Sequence, residues 1–170
     1  MTGNEENKLE NISIPALALL DKMKSLQLAT IGENNEPSIS YTPFIMHKQR
    51  VYILISALAA HTQHLANRPQ AALLIIEDEQ DCQNIFARKR LALECDAHFV
   101  ERTHQQWNDR LDLFTERHGN TVALLKKLPD FSLVELTPKY GNYIQGFGQA
   151  YRFNGLALDK AQQASAPIAK

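Results

Sequence analysis

Residues 26–56 read LQLATIGENNEPSISYTPFIMHKQRVYILIS, and this stretch predicts three consecutive short strands joined by turns. The first strand covers 26–31 and ends at a polar turn that is rich in Gly, Asn and Pro. The second covers 38–46 and alternates large apolar residues with small or polar ones, although Pro43 indicates an edge position or a bulge. The third, 51–56, is apolar and β-branched, which is typical of a strand buried on both faces. Because short turns join antiparallel neighbours, we expect an antiparallel sheet.

The same two patterns recur along the rest of the chain. Apolar or alternating stretches predict further strands at 71–76, at 91–100, at 131–138 and, once or twice, within 143–153. Helices are expected to open at Ser13, to cover 57–67 and to cover 122–127. A further helix is expected to begin after an N-cap at Thr103 and to carry the stripe of Trp107, Leu111 and Phe114. About seven short strands with a few short helices predict a mainly β fold, an antiparallel barrel with peripheral helices.

Length and charge limit the domain organisation and the class of partner. The 170 residues suit one domain, which we divide into a flexible N-terminus (1–12), a barrel domain (13–156) and a weakly ordered C-terminal tail (157–170). A formal net charge of -1 excludes a broadly basic coat for nucleic acid. No apolar stretch approaches the roughly 20 residues that span a bilayer, and the polar N-terminus is not a signal peptide. Two cysteines in a domain of this size are typical of a reducing compartment, so we expect a cytoplasmic protein. We also expect its ligand to be a small molecule.

Two groups of residues have the chemistry of a binding site. His61 and His64 lie three residues apart in the helix expected over 57–67, so both could reach one metal ion, although no third Cys or His stands at a metal-site spacing. A hydrogen-bonding role for these histidines is the stronger interpretation, and any metal ligand set stays unknown. The basic run Arg88-Lys89-Arg90 opens the strand at 91–100 and could bind carboxylates or phosphates. A solubilising turn explains that run equally well, so both interpretations stay open.

The order of strands around 26–76 resembles the split β-barrel of pyridoxamine 5′-phosphate oxidase and its relatives. That resemblance implies a homodimer with its cofactor at the subunit interface, which is FMN in the flavoenzymes. In those enzymes a Ser-Arg-Lys sequence at the start of the short helix holds the FMN phosphate. The matching positions here are Ala59, Ala60 and His61, so most of the charge that would bind a phosphate is missing.

Five blocks of sequence are similar to a particular branch, the HutZ/HugZ haem-utilisation family. They are LQLAT at 26–30, IEDE at 76–79, FARKRL at 86–91, PDF at 129–131 and GFGQAY at 146–151. The resemblance covers about residues 26–151 and implies a cytoplasmic dimer that binds haem at its interface and can open the porphyrin oxidatively.

The same resemblance suggests roles for individual residues. Arg90 would bind a haem propionate and His61 would line the pocket, while Asp130 would be the catalytic aspartate that hydrogen-bonds an axial histidine. The further cofactor-binding residues that it suggests are Ser56, His64, Arg88 and Lys89.

The departures from the family pattern leave three functional hypotheses. The family supplies its axial histidine from the C-terminal tail, and no histidine follows His118 in this sequence. The first hypothesis is a haem-binding protein of haem-iron utilisation, with or without oxidative haem degradation. The second is an FMN-dependent oxidoreductase, and the third is a haem carrier without catalytic activity. A shared fold does not choose among them.

Overall fold

The structure, a computed structural model, describes residues 3–157 and 160–164, with side chains from residue 13 onwards. Its helices are α1 (Gly3–Lys22), α2 (Ala60–Asn67), α3 (Gln105–His118) and α4 (Thr121–Leu125). Its strands are β1 (Ser25–Ile31), β2 (Pro37–His47), β3 (Arg50–Ser56), β4 (Gln70–Ile76), β5 (Arg90–Val100), β6 (Phe131–Gly146), β7 (Gln149–Asn154) and β8 (Gln162–Gln163).

Six of these strands close into an antiparallel barrel. The sheet runs β3-β2-β1-β4-β5-β6, and a further pairing of β3 with β6 closes the ring, while β7 and β8 extend the sheet beyond β6. The predicted mainly β fold with peripheral helices is therefore confirmed. Strands that are adjacent in the chain mostly pair through short turns, as the sequence between residues 26 and 56 indicates.

The barrel is split beside Pro43. Residues 37–43 of β2 pair only with β1, whereas the pairing of β2 with β3 begins at Phe44. The irregularity that Pro43 predicts thus falls where β2 changes its set of neighbours. The helix α2 follows β3 directly and contacts β1 and β2 at this opening.

Two apolar clusters stabilise the fold. The first fills the barrel interior, where Leu28, Phe44 and Tyr143 are fully buried. The second lies between α3 and the outer face of β3, and it contains the predicted stripe of Trp107, Leu111 and Phe114, each no more than 4% exposed. Burial of these side chains holds α3 on the barrel by the hydrophobic effect.

Three local predictions were wrong. The first helix begins at Gly3 rather than at Ser13, and the Glu, Lys and Leu residues of the stretch 5–10 are the good helix formers that extend it towards the N-terminus. The stretches 131–138 and the start of 143–153 form one strand, β6, because Pro138 sits at a bulge that interrupts pairing without ending the strand. His104, not Thr103, caps α3, and its Nδ1 accepts the Gln106 N–H at 3.2 Å.

Among the described residues, no helix has both the length and the apolar character that crossing a bilayer requires.

Candidate functional site

The turn between β3 and α2 is fixed to the start of β6 by Ser56 and Asp130. The Ser56 hydroxyl donates to Asp130 Oδ2 at 2.8 Å and accepts the Leu58 N–H at 3.1 Å. The Ala57 N–H donates to the Asp130 carbonyl at 2.7 Å. Thr62, inside α2, donates its hydroxyl to the Ser56 carbonyl at 2.6 Å. These bonds hold α2 over the split, and Asp130 Oδ1 has no partner among the described side chains.

The two histidines of α2 point at neighbouring barrel strands. His61 Nδ1 lies 2.9 Å from the Ser40 hydroxyl on β2, and His64 Nδ1 lies 3.0 Å from the Thr30 hydroxyl on β1. Burial, and to a lesser degree the nearby His64, lowers the pKa of His61 below its ordinary value of 6.5. The His61 imidazole is therefore neutral at physiological pH, the form in which a histidine binds a metal.

The start of α2 offers nothing that would hold a phosphate dianion. Its N-cap is Ala59, which makes no side-chain hydrogen bond, and Ala60 follows as the first helical residue. Arg68, just after the helix, donates to the Gly32 carbonyl and is thereby directed towards the β1–β2 turn. The charged contacts expected of an FMN phosphate site are thus missing from this turn of helix.

The basic run lies at the other end of the barrel and mostly binds its own loop. The Arg88 guanidinium donates to the Glu77 carbonyl and to Glu79 Oε1, at 2.5 Å and 3.1 Å, and is only 18% exposed. The Lys89 N–H donates to Glu77 Oε1 at 2.7 Å, while the Lys89 residue is exposed. Arg90 is half-buried and donates from one guanidinium nitrogen to the Arg88 carbonyl at 2.9 Å. Arg88 therefore has a structural role, and Arg90 retains free donors.

The structure brings some predicted site residues together and keeps others apart. Four of them lie in or beside α2, namely Ser56, His61, His64 and Asp130. Arg90 instead pairs with Ile144, close to the far end of β6 from Asp130. The eleven residues from Arg90 to Val100 correspond to about 33 Å along the strand. Within one chain, Arg90 and Asp130 therefore lie at opposite ends of the β5–β6 ribbon.

The outer face of the barrel carries an apolar row that the site predictions overlooked. In this row, Ala29 on β1 pairs with Ile39 on β2 and with Ala72 on β4. The Ile39 side chain is 78% exposed. Tyr41, two residues along β2, is 72% exposed. The alternation in 38–46 is the signal that could have found this face, because it places Ile39 and Tyr41 on the side opposite Phe44.

A cavity of about 700 Å³ continues this outer face across β4, β5, β6 and β7. Its lining includes Ala72, Ala92 and Tyr140, together with the cationic side chains of Arg152 and Lys160. An apolar floor beside cations suits a flat ligand that carries negative charge at its edge. Among residues 3–157 and 160–164, no group of three or more His, Cys, Asp or Glu side chains converges on a metal-sized site.

Comparison with known proteins gives consistent matches. Residues 16–145 match the family model for pyridoxamine 5′-phosphate oxidase. The chain is 39% identical over 132 residues to the heme oxygenase HutZ of Vibrio cholerae, covering 78% of this chain and 75% of that protein. The crystal structure of Vibrio cholerae HutZ, described as a heme storage protein, superposes with a TM-score of 0.72 at 35% identity, covering 75% of this chain and 89% of that one. Campylobacter jejuni ChuZ superposes with a TM-score of 0.84 at 27% identity, covering 95% of this chain and 66% of that one.

Proposed function

The chain belongs to the pyridoxamine 5′-phosphate oxidase family, and from that premise we propose that it binds haem rather than FMN. The observation that carries the proposal is the start of α2, where Ala59 and Ala60 remove the phosphate contacts and His61 presents a neutral imidazole. One relative supports it, since HutZ of Vibrio cholerae is described both as a heme oxygenase and as a heme storage protein.

The residues present fit the chemistry of haem. A porphyrin needs an apolar surface, which the exposed row with Ile39 and Tyr41 offers. Its propionates need guanidinium donors, and Arg90 has nitrogens that remain free after its one internal bond. Its iron needs a nitrogen, sulfur or oxygen ligand, and α2 carries two imidazoles. His61 contacts Ser40, which lies on the opposite side of β2 from Ile39 and Tyr41, so the apolar row beside the iron would come from a second subunit. When bound, haem supplies an iron centre for oxygen and electron chemistry, while the protein supplies binding and orientation.

We further propose that the protein is a homodimer with the ligand between its subunits. Exposed apolar rows of this kind are typical of subunit interfaces. Arg90 and Asp130 lie at opposite ends of one chain's β5–β6 ribbon, so one ligand would meet both residues most readily if two subunits contributed. In a twofold dimer each subunit presents the same patch, which would create two equivalent sites.

The same proposal assigns roles to the remaining residues. Asp130 keeps α2 in place through Ser56 and leaves Oδ1 free to orient a ligand of the iron. We place the protein in the cytoplasm, because Cys82 and Cys95 are free thiols. Haem degradation and haem storage remain the two activities that the experiment must separate.

Titration of the purified protein with hemin tests the proposal. We expect a shifted Soret band that saturates at one hemin per subunit. Arg90→Gln should weaken hemin binding about tenfold or more, since a lost charged hydrogen bond costs about 1.5–3 kcal/mol and 1.4 kcal/mol is tenfold. Lys48→Gln is the matched control, because it removes one positive charge from the exposed β2–β3 turn.

The outcomes separate the functions. Loss of the Soret band on addition of a reductant and oxygen indicates an oxygenase, whereas a stable spectrum indicates a carrier. If the protein is purified yellow, releases FMN on denaturation and gives no Soret shift with hemin, the haem proposal is wrong. If Arg90→Gln binds hemin as tightly as Lys48→Gln, the role of Arg90 is wrong.

A further inference from the structure

We propose that Nε2 of His61 is the protein ligand of the iron, and that the Ser40 hydroxyl positions it. The inference rests on the proposed haem binding and goes beyond it by choosing one donor atom. Neither the family match nor the named relatives assign this atom.

The contacts of Ser40 favour one tautomer of His61. The Ser40 hydroxyl contacts two groups, the Leu28 carbonyl at 3.3 Å and His61 Nδ1 at 2.9 Å. A carbonyl oxygen can only accept, so both contacts are hydrogen bonds together in one arrangement, in which Ser40 donates to Leu28 and accepts from His61. In that arrangement His61 Nδ1 carries the hydrogen that it shares with the Ser40 oxygen. In a neutral imidazole this leaves the lone pair on Nε2, which is the arrangement found in metal-binding histidines.

His61 Nε2 is also free to bind. It has no hydrogen-bond partner among the described residues, and it is not one of the fully buried unpartnered nitrogen and oxygen atoms. The two residues before it, the N-cap Ala59 and the first helical residue Ala60, add no bulky or charged side chain beside it. A ligand can therefore reach this nitrogen without displacing an internal hydrogen bond.

His64 is a poorer candidate although it lies on the same helix face. The Thr30 hydroxyl shows no other acceptor among the described residues, so it can donate to His64 Nδ1 and leave that tautomer unfixed. The Cε1–Nε2 edge of His64 also packs against Gly32, where an added Cβ atom would lie 3.4 Å from both atoms. Contact with the β1–β2 turn thus restricts the approach of a ligand to His64.

Two other histidines already use ring nitrogens in the fold. His118 Nε2 lies 2.9 Å from the Phe44 carbonyl, and His104 Nδ1 caps α3. A sulfur ligand from Cys95 is excluded, because that thiol is 1% exposed in the barrel interior and burial raises its pKa to about 12. Compared with His64, His104 and His118, the imidazole of His61 combines a favoured tautomer with an open coordination direction.

The test is resonance Raman spectroscopy of the full-length protein, which is loaded with hemin and then reduced to the ferrous state. The protein is prepared once with ordinary histidine and once with ¹⁵N-labelled histidine. We expect an iron–histidine band that shifts with the label, disappears in His61→Ala and persists in His64→Ala. Added imidazole should restore an iron–imidazole band in His61→Ala by filling the space left by the side chain. Ser40→Ala should keep the band but shift it and weaken hemin affinity about tenfold, as is typical for loss of a group that orients a metal ligand.

Circular dichroism and thermal unfolding of each variant establish that it is folded before its spectrum is read. If the wild type and His61→Ala show the same iron–histidine band, the ligand assignment is wrong while haem binding stands. If His64→Ala loses the band and His61→Ala keeps it, the ligand is His64. If the wild type gives no hemin complex at all, the proposed function fails, and this inference fails with it.

Discussion

Replacing Tyr52 by Phe removes one hydroxyl from a buried polar contact between the barrel and α3. Tyr52 is 1% exposed, and its hydroxyl donates to Glu135 Oε2 at 2.6 Å. Gln106 on α3 donates to the same carboxylate oxygen at 2.7 Å and to the Tyr52 hydroxyl at 2.9 Å. Arg50 donates to the other oxygen, Oε1, at 2.9 Å. The variant deletes the donor closest to a carboxylate and leaves the ring packing unchanged.

The size of the effect follows from the charge of the acceptor. A hydrogen bond to an ionised group contributes about 1.5–3 kcal/mol, so we expect the free energy of unfolding to fall by about 2 kcal/mol at pH 7. Gln106 keeps Glu135 as an acceptor but loses the Tyr52 oxygen as its second one, which adds to the loss. For a chain of this size, this loss corresponds to a decrease in Tm of about 4–8 °C.

The loss should depend on pH. Burial raises the pKa of Glu135, but the hydrogen bonds from Tyr52 and Gln106 and the charge of Arg50 outweigh it, and the net pKa lies below the ordinary 4.5. A depressed carboxyl pKa contributes stability above the unfolded-state pKa, and this stability is lost as the pH falls through the folded-state pKa. The difference between wild type and Tyr52→Phe should therefore be full at pH 7 and shrink as the pH falls through the lowered folded-state pKa of Glu135, towards the roughly 1 kcal/mol of a neutral hydrogen bond.

Urea unfolding at fixed protein concentration, at pH 7 and at about pH 3.5, measures both quantities. Tyr41→Phe is the matched control, because Tyr41 is 72% exposed and shows no hydrogen bond among the described residues. We expect the control to unfold like the wild type at either pH. A loss below about 0.5 kcal/mol at pH 7 for Tyr52→Phe, or an equal loss at both pH values, would refute the argument from charge.

Two further predictions concern packing and helix docking. Gly141→Ala should lower the free energy of unfolding by about 1–3 kcal/mol, because the added Cβ would lie 1.9 Å from the Phe153 ring. The control is Gly146→Ala, where the added Cβ would have its nearest neighbour 3.5 Å away. Urea unfolding should show little change in the stability of this control. Arg117→Ala should free three backbone carbonyls at the end of α1, which the guanidinium now holds at 2.7–2.9 Å, and cost about 1–3 kcal/mol. Hydrogen exchange should then become faster in α1 than in the barrel strands, and equal protection of α1 in variant and wild type would contradict this role of Arg117.

The barrel strands could be predicted from sequence because their patterns are local. Alternation in 38–46 predicts both the strand β2 and the outward position of Ile39, and the apolar run 51–56 predicts the buried strand β3. The stripe of Trp107, Leu111 and Phe114 likewise predicts the buried face of α3. Each of these features depends on neighbours a few residues apart, which is the range over which periodicity operates.

The contacts of the site could not be predicted, because they join distant parts of the chain. Ser56 meets Asp130, 74 positions away, only because β3 pairs with β6 and closes the barrel. The sequence also left open whether Arg88 binds a ligand or serves its own loop, since a basic run has the same sequence whether it binds a ligand or a carbonyl. The resemblance to a family named Asp130, but its bond to Ser56 became visible only in the folded chain.

The geometry also suggests how one barrel can serve either of two flat anions. FMN carries its doubly charged phosphate at the end of a flexible chain, whereas haem carries two carboxylates at one edge of a rigid ring. A protein that binds the first needs cations or hydroxyls at α2, and this chain has Ala59 and Ala60 there. Among the arginines of the predicted site, Arg90 at the start of β5 keeps guanidinium donors free for a ligand. If haem binds as proposed, the position of the cationic side chain decides which ligand is bound. It lies at helix α2 in a protein that binds FMN and at the start of strand β5 in one that binds haem. The triple variant Ala59→Ser, Ala60→Arg, His61→Lys should then raise the affinity for FMN and, at the same time, remove the proposed iron ligand.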